Sequence, residues 1–84
     1  MKYEIILTSQ ALKDMKKIKL AGLDKKAESL IDTISDNPFQ NPPPYEKLSG
    51  HSSRYSRRIN SKHRLIYEVN GNTIQIIRMW THYE

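Results

Sequence analysis

The sequence predicts a small α+β domain, in which an antiparallel β-sheet packs against an N-terminal helical hairpin. Apolar residues recur at helical spacing in the first half of the chain and at strand-like alternation in the second half. The second half also contains Asn70-Gly71 between two β-prone runs, which is the strongest short-range signal for a β-hairpin. We therefore expect the element order β-α-α-β-β-β in a single compact domain spanning residues 1–84.

The first strand and the first helix are expected close together at the N-terminus. Residues 3–7 form a β-prone run, and Thr8 or Ser9 then offers a helix N-cap. The helix itself is predicted by an apolar stripe at Leu12, Met15 and Ile18. The pair Ala21-Gly22 is expected to end it.

The second helix has the stronger amphipathic pattern. Its apolar positions follow one helical face, at Leu23, Ala27, Leu30, Ile31 and Ile34. Asn37-Pro38 ends this helix, and a proline-rich loop follows to Gly50. We expect the loop to bring Tyr45, Glu46 and Lys47 to a fixed place.

Three strands are expected in the C-terminal half, at residues 55–60, at 63–69 and from 73 to about 81. One face of their sheet must cover the helices, so the other face is free to bind a ligand. The turn at Asn70-Gly71 leaves two registers open. A two-residue turn places Arg64 on the side of Tyr83, whereas a three-residue loop places it with His82.

Positive charge is concentrated in the C-terminal half. The chain carries a formal net charge of +5, of which residues 1–45 contribute +1 and residues 46–84 contribute +4. All five arginines lie in the second half, whereas seven of the nine lysines lie in the first. Segregated arginines indicate a surface that meets a polyanion, although a solvated sheet face would explain net charge alone equally well.

The composition excludes several classes of protein. Cysteine is absent, which rules out disulfide scaffolds and thiolate metal sites and agrees with a cytoplasmic location. No apolar run approaches the length of a membrane span. The histidines lack the spacing of a metal-ligand pair, so we expect neither a metal nor a cofactor.

Four residues have the chemistry that RNA cleavage requires. When the neighbouring 2′-hydroxyl is the nucleophile, cleavage needs a base, an acid for the leaving 5′-oxygen and a cation on the phosphate. Glu46 could be the base, His82 the acid and Arg64 the phosphate clamp. Tyr83 could stack on a nucleobase or orient the phosphate.

Each of these residues also has a purely structural interpretation. Glu46 could be an ordinary loop acid, and Arg64 could form an ion pair with Glu68 on the sheet surface. His82 and Tyr83 could belong to a frayed tail. The other candidates for RNA contacts are basic side chains in the same half of the chain, namely Lys47, Arg54, Arg57, Arg58 and His63.

The chain resembles the YoeB/Txe-type toxins, a branch of the RelE-like ribonucleases of bacterial toxin–antitoxin modules, over nearly its whole length. The resemblance is most specific in four segments, at residues 46–50 (Glu-Lys-Leu-Ser-Gly), 55–59 (Tyr-Ser-Arg-Arg-Ile), 63–67 (His-Arg-Leu-Ile-Tyr) and 82–83 (His-Tyr). It implies a compact RelE-like fold and ribosome-dependent cleavage of mRNA in the A site of the 70S ribosome. It also implies inhibition by a co-encoded antitoxin of the YefM/Axe kind, and a homodimer is a further expectation.

The family's catalytic residues fall on Glu46, Arg64, His82 and Tyr83, and all four are present. The chain departs from the family pattern in its proline-rich loop before Glu46 and in the segment from residue 48 to 55. It also continues to Glu84, where relatives commonly end on the tyrosine, and we expect this residue to add negative charge beside the site.

Two other functions remain open from the sequence. The same scaffold carries toxins that bind gyrase and cleave no RNA themselves, although that branch does not need Glu46 or His82. The chain could also be a basic RNA-binding module without turnover, whose affinity would depend strongly on salt.

Overall fold

The computed structural model of the protein describes residues 3–80 and confirms the α+β class. Seven elements follow one another along the chain: β1 (Glu4–Leu7), α1 (Ser9–Leu20), α2 (Asp24–Asp36), β2 (Glu46–Lys47), β3 (Arg54–Arg58), β4 (Arg64–Asn70) and β5 (Thr73–Arg78). The short strand β2 was not predicted. It is formed by the end of the proline-rich loop, where the chain pairs with β3.

The five strands form one sheet in the order β1-β5-β4-β3-β2. The pairs β2–β3, β3–β4 and β4–β5 are antiparallel, whereas β1 runs parallel to β5. The sheet is therefore mixed, not wholly antiparallel as the element order suggested. Parallel neighbours need a long connection, and here both helices and three strands lie between the two paired elements.

The turn of the β4–β5 hairpin has two residues, but they are Gly71 and Asn72, one position later than the predicted Asn70-Gly71. Asn70 pairs with Thr73, and Gly71 in the turn has a φ of 57°, which glycine adopts without strain. A register shift between Ile66 and Tyr67 follows, so that Ile66 lies opposite Arg78. The last strand ends at Arg78, before the predicted boundary near residue 81. The prediction that either His82 or Tyr83 shares a side of the sheet with Arg64 concerns residues outside those described.

The first helix begins as predicted but turns a different face to the core. The Thr8 side chain accepts a hydrogen bond from Ala11 N–H at 3.1 Å and forms the N-cap. Ala11 and Ile18 are fully buried, whereas Leu12, predicted to be in the apolar stripe, is 56% exposed. The prediction that Leu12 belongs to the apolar stripe was therefore wrong. The buried face of α1 includes the polar residue Asp14, so a search for apolar residues alone does not find this face.

The core lies between the helices and one face of the sheet. Its buried members are Ala11, Ile18, Ala27, Leu30, Ile34, Ile59, Leu65, Tyr67, Ile74, Ile76 and Met79. Strand alternation places Arg54, Ser56 and Arg58 on the opposite, open face of the sheet, beside their β4 partners. Neither helix of residues 3–80 has the length and apolar character that a membrane crossing requires.

Candidate functional site

Two of the predicted catalytic residues are in direct contact on the open face of the sheet. Arg64, the first residue of β4, donates a hydrogen bond from Nη1 to Glu46 Oε1 at 2.9 Å. Glu46 reaches it from β2, where its Cα pairs with that of Ser56 in β3. The side chain of Glu46 is 72% exposed and that of Arg64 is 22% exposed, so both are accessible to a ligand. The alternative pairing of Arg64 with Glu68 is wrong.

A second arginine lies beside this ion pair. Arg58 is exposed and is the direct cross-strand partner of Arg64. Like charges directly opposite each other destabilise a sheet by roughly 0.2–1 kcal/mol, so this pairing has an energetic cost within the fold alone. An anion bound between the two guanidinium groups would remove that repulsion.

An open cleft of about 320 Å³ contains these side chains. It is lined by Pro44, Tyr45, Glu46, Ser56, Arg58 and Arg64. Two arginines and one carboxylate give the cleft a net positive charge. Such a cleft suits a phosphate flanked by a sugar or a base, because Tyr45 and Pro44 add apolar surface to the charged groups.

Arg57, which the sequence grouped with the RNA-binding arginines, lies on the other side of the sheet. It is only 1% exposed. Its Nη1 donates to Pro43 O at 2.6 Å, and its Nη2 donates to Pro38 O at 3.0 Å and to Gln40 O at 2.9 Å. The prediction of an RNA contact is therefore corrected: Arg57 holds three carbonyl groups of the loop that leads to Glu46.

Aromatic rings reinforce this attachment of the loop. The Arg57 guanidinium carbon lies 5.1 Å from the centre of the Tyr45 ring and 5.9 Å from that of Tyr67. Phe39 packs edge-on against Tyr55, with ring centres 5.2 Å apart, and Tyr45 does so at 5.9 Å. The loop is thus fixed on both sides of its prolines, as expected for a segment that positions Glu46.

Tyr67 connects this cluster to the core. Its hydroxyl donates to Pro38 O at 2.7 Å and accepts a hydrogen bond from Arg57 Nε at 3.2 Å. Burial raises the pKa of Tyr67, and the adjacent guanidinium only partly opposes this effect. The phenol is therefore neutral and acts as a donor within the structure, away from the open cleft.

His63 is also buried, at 9% exposure, although it was predicted to contact RNA. Its ring stacks on Trp80 with a centre-to-centre distance of 3.8 Å and an interplanar angle of 18°. Its backbone carbonyl accepts hydrogen bonds from the N–H groups of Ile59 and Asn60. The prediction of a direct RNA contact is corrected, because the ring supports the start of β4 from inside.

Arg54 lies on the open face of the sheet, whereas Lys47 does not. Arg54 donates from Nε to Glu68 Oε1 at 2.7 Å, and this hydrogen bond, followed by one from Asn70, lowers the pKa of Glu68. Arg54 is four residues from Arg58, or about 13 Å along the strand, so it lies outside the cleft. Lys47 is exposed on β2, on the side opposite to Glu46 by strand alternation.

Sequence reasoning missed Asp14, the most highly hydrogen-bonded carboxylate of the described chain. It is fully buried in α1, and its Oδ2 accepts hydrogen bonds from Arg78, Met79 and Trp80. Burial by itself would raise the pKa of Asp14, but the hydrogen bonds from Met79, Arg78, Gln10 and Trp80 together outweigh burial and lower it. The one sequence signal was an acid between Ala11 and Ile18 on a buried helical face.

The tail residues His82 and Tyr83 lie outside the residues that the structure describes, as does Glu84. Among residues 3–80, no three histidine, cysteine, aspartate or glutamate side chains come together as a metal site would require. The described part of the site therefore consists of Glu46, Arg58 and Arg64.

Comparison with known proteins identifies the family of this chain. The sequence model of one protein family, the YoeB-like toxins of bacterial type II toxin–antitoxin systems, matches residues 7–83 of this chain. The chain belongs to this family. It is therefore a toxin of a type II toxin–antitoxin module, with the RelE-like α+β fold that the resemblance implied.

Individual relatives support the assignment. The toxin YoeB of Synechocystis sp. is 39% identical over 61 residues, which are 71% of this chain and 71% of the relative. The YoeB dimer from Staphylococcus aureus is 34% identical, with a TM-score of 0.86 over 99% of this chain and 100% of that chain. YoeB in the YoeB–YefM complex from the same organism is 33% identical, with a TM-score of 0.81 over the same shares.

Proposed function

We propose that this YoeB-like toxin is a ribosome-dependent endoribonuclease, which cleaves mRNA in the A site of the 70S ribosome and so inhibits translation in the cytoplasm. The observation that carries the proposal is the Glu46–Arg64 contact at 2.9 Å within a cleft that also contains Arg58. A carboxylate beside two guanidinium groups supplies a proton acceptor and a binding site for a phosphodiester in one place.

The reaction follows from these groups without a metal ion. Glu46 accepts the proton of the 2′-hydroxyl, whose oxygen forms a bond to phosphorus. The bond from phosphorus to the 5′-oxygen breaks, and His82 donates a proton to that oxygen. The products are a 2′,3′-cyclic phosphate and a 5′-hydroxyl end, while Arg64 and Arg58 stabilise the charge that develops on the phosphate oxygens.

Substrate binding would rearrange the contact seen in the free protein. Arg64 is paired with Glu46, and an incoming phosphate competes for the same guanidinium group. As Arg64 turns toward the phosphate, Glu46 loses a hydrogen bond to one oxygen and gains the freedom to accept the 2′-hydroxyl proton. The resting ion pair thus holds the base and the clamp within reach of one linkage.

Covalent geometry limits how far His82 can be from this site. Trp80 stacks on His63, which directly precedes Arg64 in the chain. His82 is two residues beyond Trp80, so their Cα atoms are at most about 7 Å apart. This supports a histidine that joins Arg64 at the cleft, with Tyr83 next to it as a stacking group for a nucleobase.

Two further basic side chains would extend the surface for RNA beyond the cleaved linkage. Arg54 on the open face would meet phosphates of the mRNA or of ribosomal RNA, although it must share its guanidinium with Glu68. Lys47, on the other side of β2, would meet phosphates at the edge of the sheet. The proposed dependence on the ribosome rests on family membership. The open cleft holds only a short stretch of RNA, so its geometry does not carry this part of the proposal.

We also propose two protein partners. A YoeB relative forms a complex with YefM, and another is a dimer. An antitoxin of the YefM/Axe kind that covers the cleft would complement its positive charge with acidic side chains. Native mass spectrometry of the chain alone and with the co-encoded antitoxin tests both the homodimer and the toxin–antitoxin complex.

The decisive experiment is cleavage of mRNA on programmed 70S ribosomes at a Mg²⁺ concentration that keeps the ribosomes intact. We expect new 5′ ends with the wild-type chain, and a rate on the order of 10²–10⁴-fold lower for Glu46→Gln or His82→Ala, the usual contribution of one positioned base or acid. Glu28→Gln is the matched control, because Glu28 is exposed on α2, on the side of the sheet opposite to the cleft. Undiminished cleavage by both site variants would contradict the proposal.

Two further outcomes identify the alternative functions. Inhibition of DNA supercoiling by purified gyrase at stoichiometric toxin, with mRNA left intact on ribosomes, would indicate a gyrase-binding toxin. Salt-dependent RNA binding without any new 5′ ends after long incubation would indicate an RNA-binding module.

A further inference from the structure

A buried carboxylate on the first helix holds the end of the last strand. Asp14 has no exposed surface, and its Oδ2 accepts from Arg78 Nε at 2.9 Å, Met79 N at 3.0 Å and Trp80 N at 3.2 Å. Its Oδ1 accepts from Gln10 Nε2 at 3.0 Å. Three of the four donors thus come from the last residue of β5 and the two residues that follow it.

The same segment also has a hydrogen bond within itself, from the Arg78 side chain to the Trp80 backbone. Arg78 donates from Nη2 to Trp80 O at 3.1 Å, so one guanidinium bridges the Asp14 carboxylate and the backbone two residues later. Thr8, the N-cap of α1, donates from Oγ1 to Ile77 O at 3.0 Å. Residues 77–80, at and just beyond the end of β5, are therefore attached to α1 and its N-cap by side-chain hydrogen bonds. We call these contacts the tail anchor.

Burying a carboxylate in this position has a free-energy cost. Desolvating the charge has a cost that only good hydrogen bonds offset, and apolar residues of similar volume are often as stable or more stable. Unlike an apolar residue, the carboxylate accepts hydrogen bonds from two consecutive backbone N–H groups through one oxygen. That geometry ends the strand and sets the direction of the chain at Trp80.

We infer that Asp14 is a positioning residue, which fixes the course of the chain at residues 78–80 and thereby sets the placement of His82 relative to Arg64. The inference rests on the proposed function for the role of His82. Trp80 is held by Asp14 on one side and by the His63 ring on the other, and His63 is covalently joined to Arg64. The tail anchor thus connects the end of β5 to the start of β4, where Arg64 lies, through the interior of the domain.

The test compares Asp14→Ala and Asp14→Asn with a destabilised control. The Asn variant keeps an oxygen that accepts from Met79 and Trp80, whereas the Ala variant removes the acceptor. Ile34→Ala in α2 creates a cavity in the core without touching the tail anchor. All variants are assayed on programmed 70S ribosomes at a temperature at which circular dichroism shows each of them to be folded.

We expect Asp14→Ala to lower kcat by about 10²-fold, since a displacement of 1 Å at a catalytic group has an effect of that size. KM for the ribosome should stay within about twofold, since the basic surface is unchanged. Asp14→Asn should recover most of the lost kcat, and Ile34→Ala should keep the wild-type kcat. An equal loss in Asp14→Ala and Ile34→Ala would mean that Asp14 serves stability alone and would overturn the inference.

A second measurement does not depend on cleavage. Backbone ¹⁵N relaxation of the free toxin gives order parameters for the N–H groups of residues 78–80, which we expect to fall in Asp14→Ala and to change little in Ile34→Ala. Unchanged order parameters in Asp14→Ala would overturn the inference even if kcat fell. If the wild-type chain cleaved no mRNA, the proposed function would fail, and the order parameters would still decide whether Asp14 fixes the chain at residues 78–80.

Discussion

The two adjacent arginines of β3 should respond to the same substitution in opposite ways. Arg57 is buried beneath the proline-rich loop, and Arg58 is exposed in the cleft. We predict that Arg57→Met destabilises the fold, whereas Arg58→Met weakens RNA cleavage and leaves stability nearly unchanged. The pair is a matched control because the substitution is identical, the positions are neighbours and only the environment differs.

The magnitude for Arg57 follows from its contacts. Four hydrogen bonds are lost in Arg57→Met, but those to Pro43 O and Gln40 O are only partly buried, so water can replace them. The bonds to Tyr67 Oη and Pro38 O are buried. A hydrogen bond to a charged group contributes about 1.5–3 kcal/mol. We use the lower figure for both buried bonds, because removing the guanidinium also removes its desolvation cost, and obtain about 3 kcal/mol.

This loss is large for a chain of 84 residues, whose expected free energy of unfolding is about 4–13 kcal/mol. At about 4–8 °C per kcal/mol, the melting temperature should fall by about 12–24 °C. For Arg58→Met we expect a change within about 0.5 kcal/mol, as for other exposed positions, and a small gain is possible because the repulsion with Arg64 is removed.

Urea unfolding followed by circular dichroism measures both values, and cleavage on programmed ribosomes measures the activity. For Arg58→Met we expect kcat/KM to fall about 10-fold or more, since one charge-assisted contact to the phosphate is lost. A destabilisation of Arg57→Met below about 1 kcal/mol would refute the argument that its hydrogen bonds hold the loop. Equal destabilisation by the two substitutions would refute the distinction between the arginines.

Three further predictions concern stability. The pKa of Asp14 is lowered from its ordinary value of 3.8, so the stability it contributes is fully present above the unfolded pKa and is lost as pH falls through the folded pKa. The difference in urea-unfolding free energy between wild type and Asp14→Asn should therefore be constant from pH 7 to about 5 and shrink toward pH 2. A difference that grew at low pH would contradict a lowered pKa of Asp14. Gly71→Ala should lower stability by about 1–2 kcal/mol in thermal unfolding, because the φ of 57° is unfavourable for alanine although no atom obstructs its Cβ; an unchanged melting temperature would show that the turn relaxes. Arg54→Gln breaks a partly exposed ion pair with Glu68 and should cost less than about 1 kcal/mol by urea unfolding, with the difference decreasing in high salt.

The sequence predicted those features that depend on neighbours along the chain. The apolar period predicted both helices, Thr8 was one of two candidate caps, and Asn70-Gly71 predicted the hairpin. These signals are local, because helical and strand periods and turn residues act over a few positions. The resemblance then added the assignment of Glu46 and Arg64 to one site, which spacing alone left open.

The errors concern contacts between distant parts of the chain. Alternation requires Arg57 and Arg58 to point to opposite faces of a strand, but it does not say which face the helices and the proline-rich loop cover. The partner of Arg64 could not be read either, since it depends on β2, a strand of two residues that exists only through its pairing with β3. Asp14 was overlooked because three of its four donors are 64 to 66 residues away.

By itself the sequence determined the class of fold, the number of helices and the concentration of arginine in one half of this toxin. Tertiary structure decided which arginine is buried, which carboxylate meets Arg64, and that an aspartate of α1 holds the chain before the tail. The physical reason is that charge and period are properties of residues in order, whereas burial and hydrogen-bond partners are set only when segments far apart in the chain pack against one another.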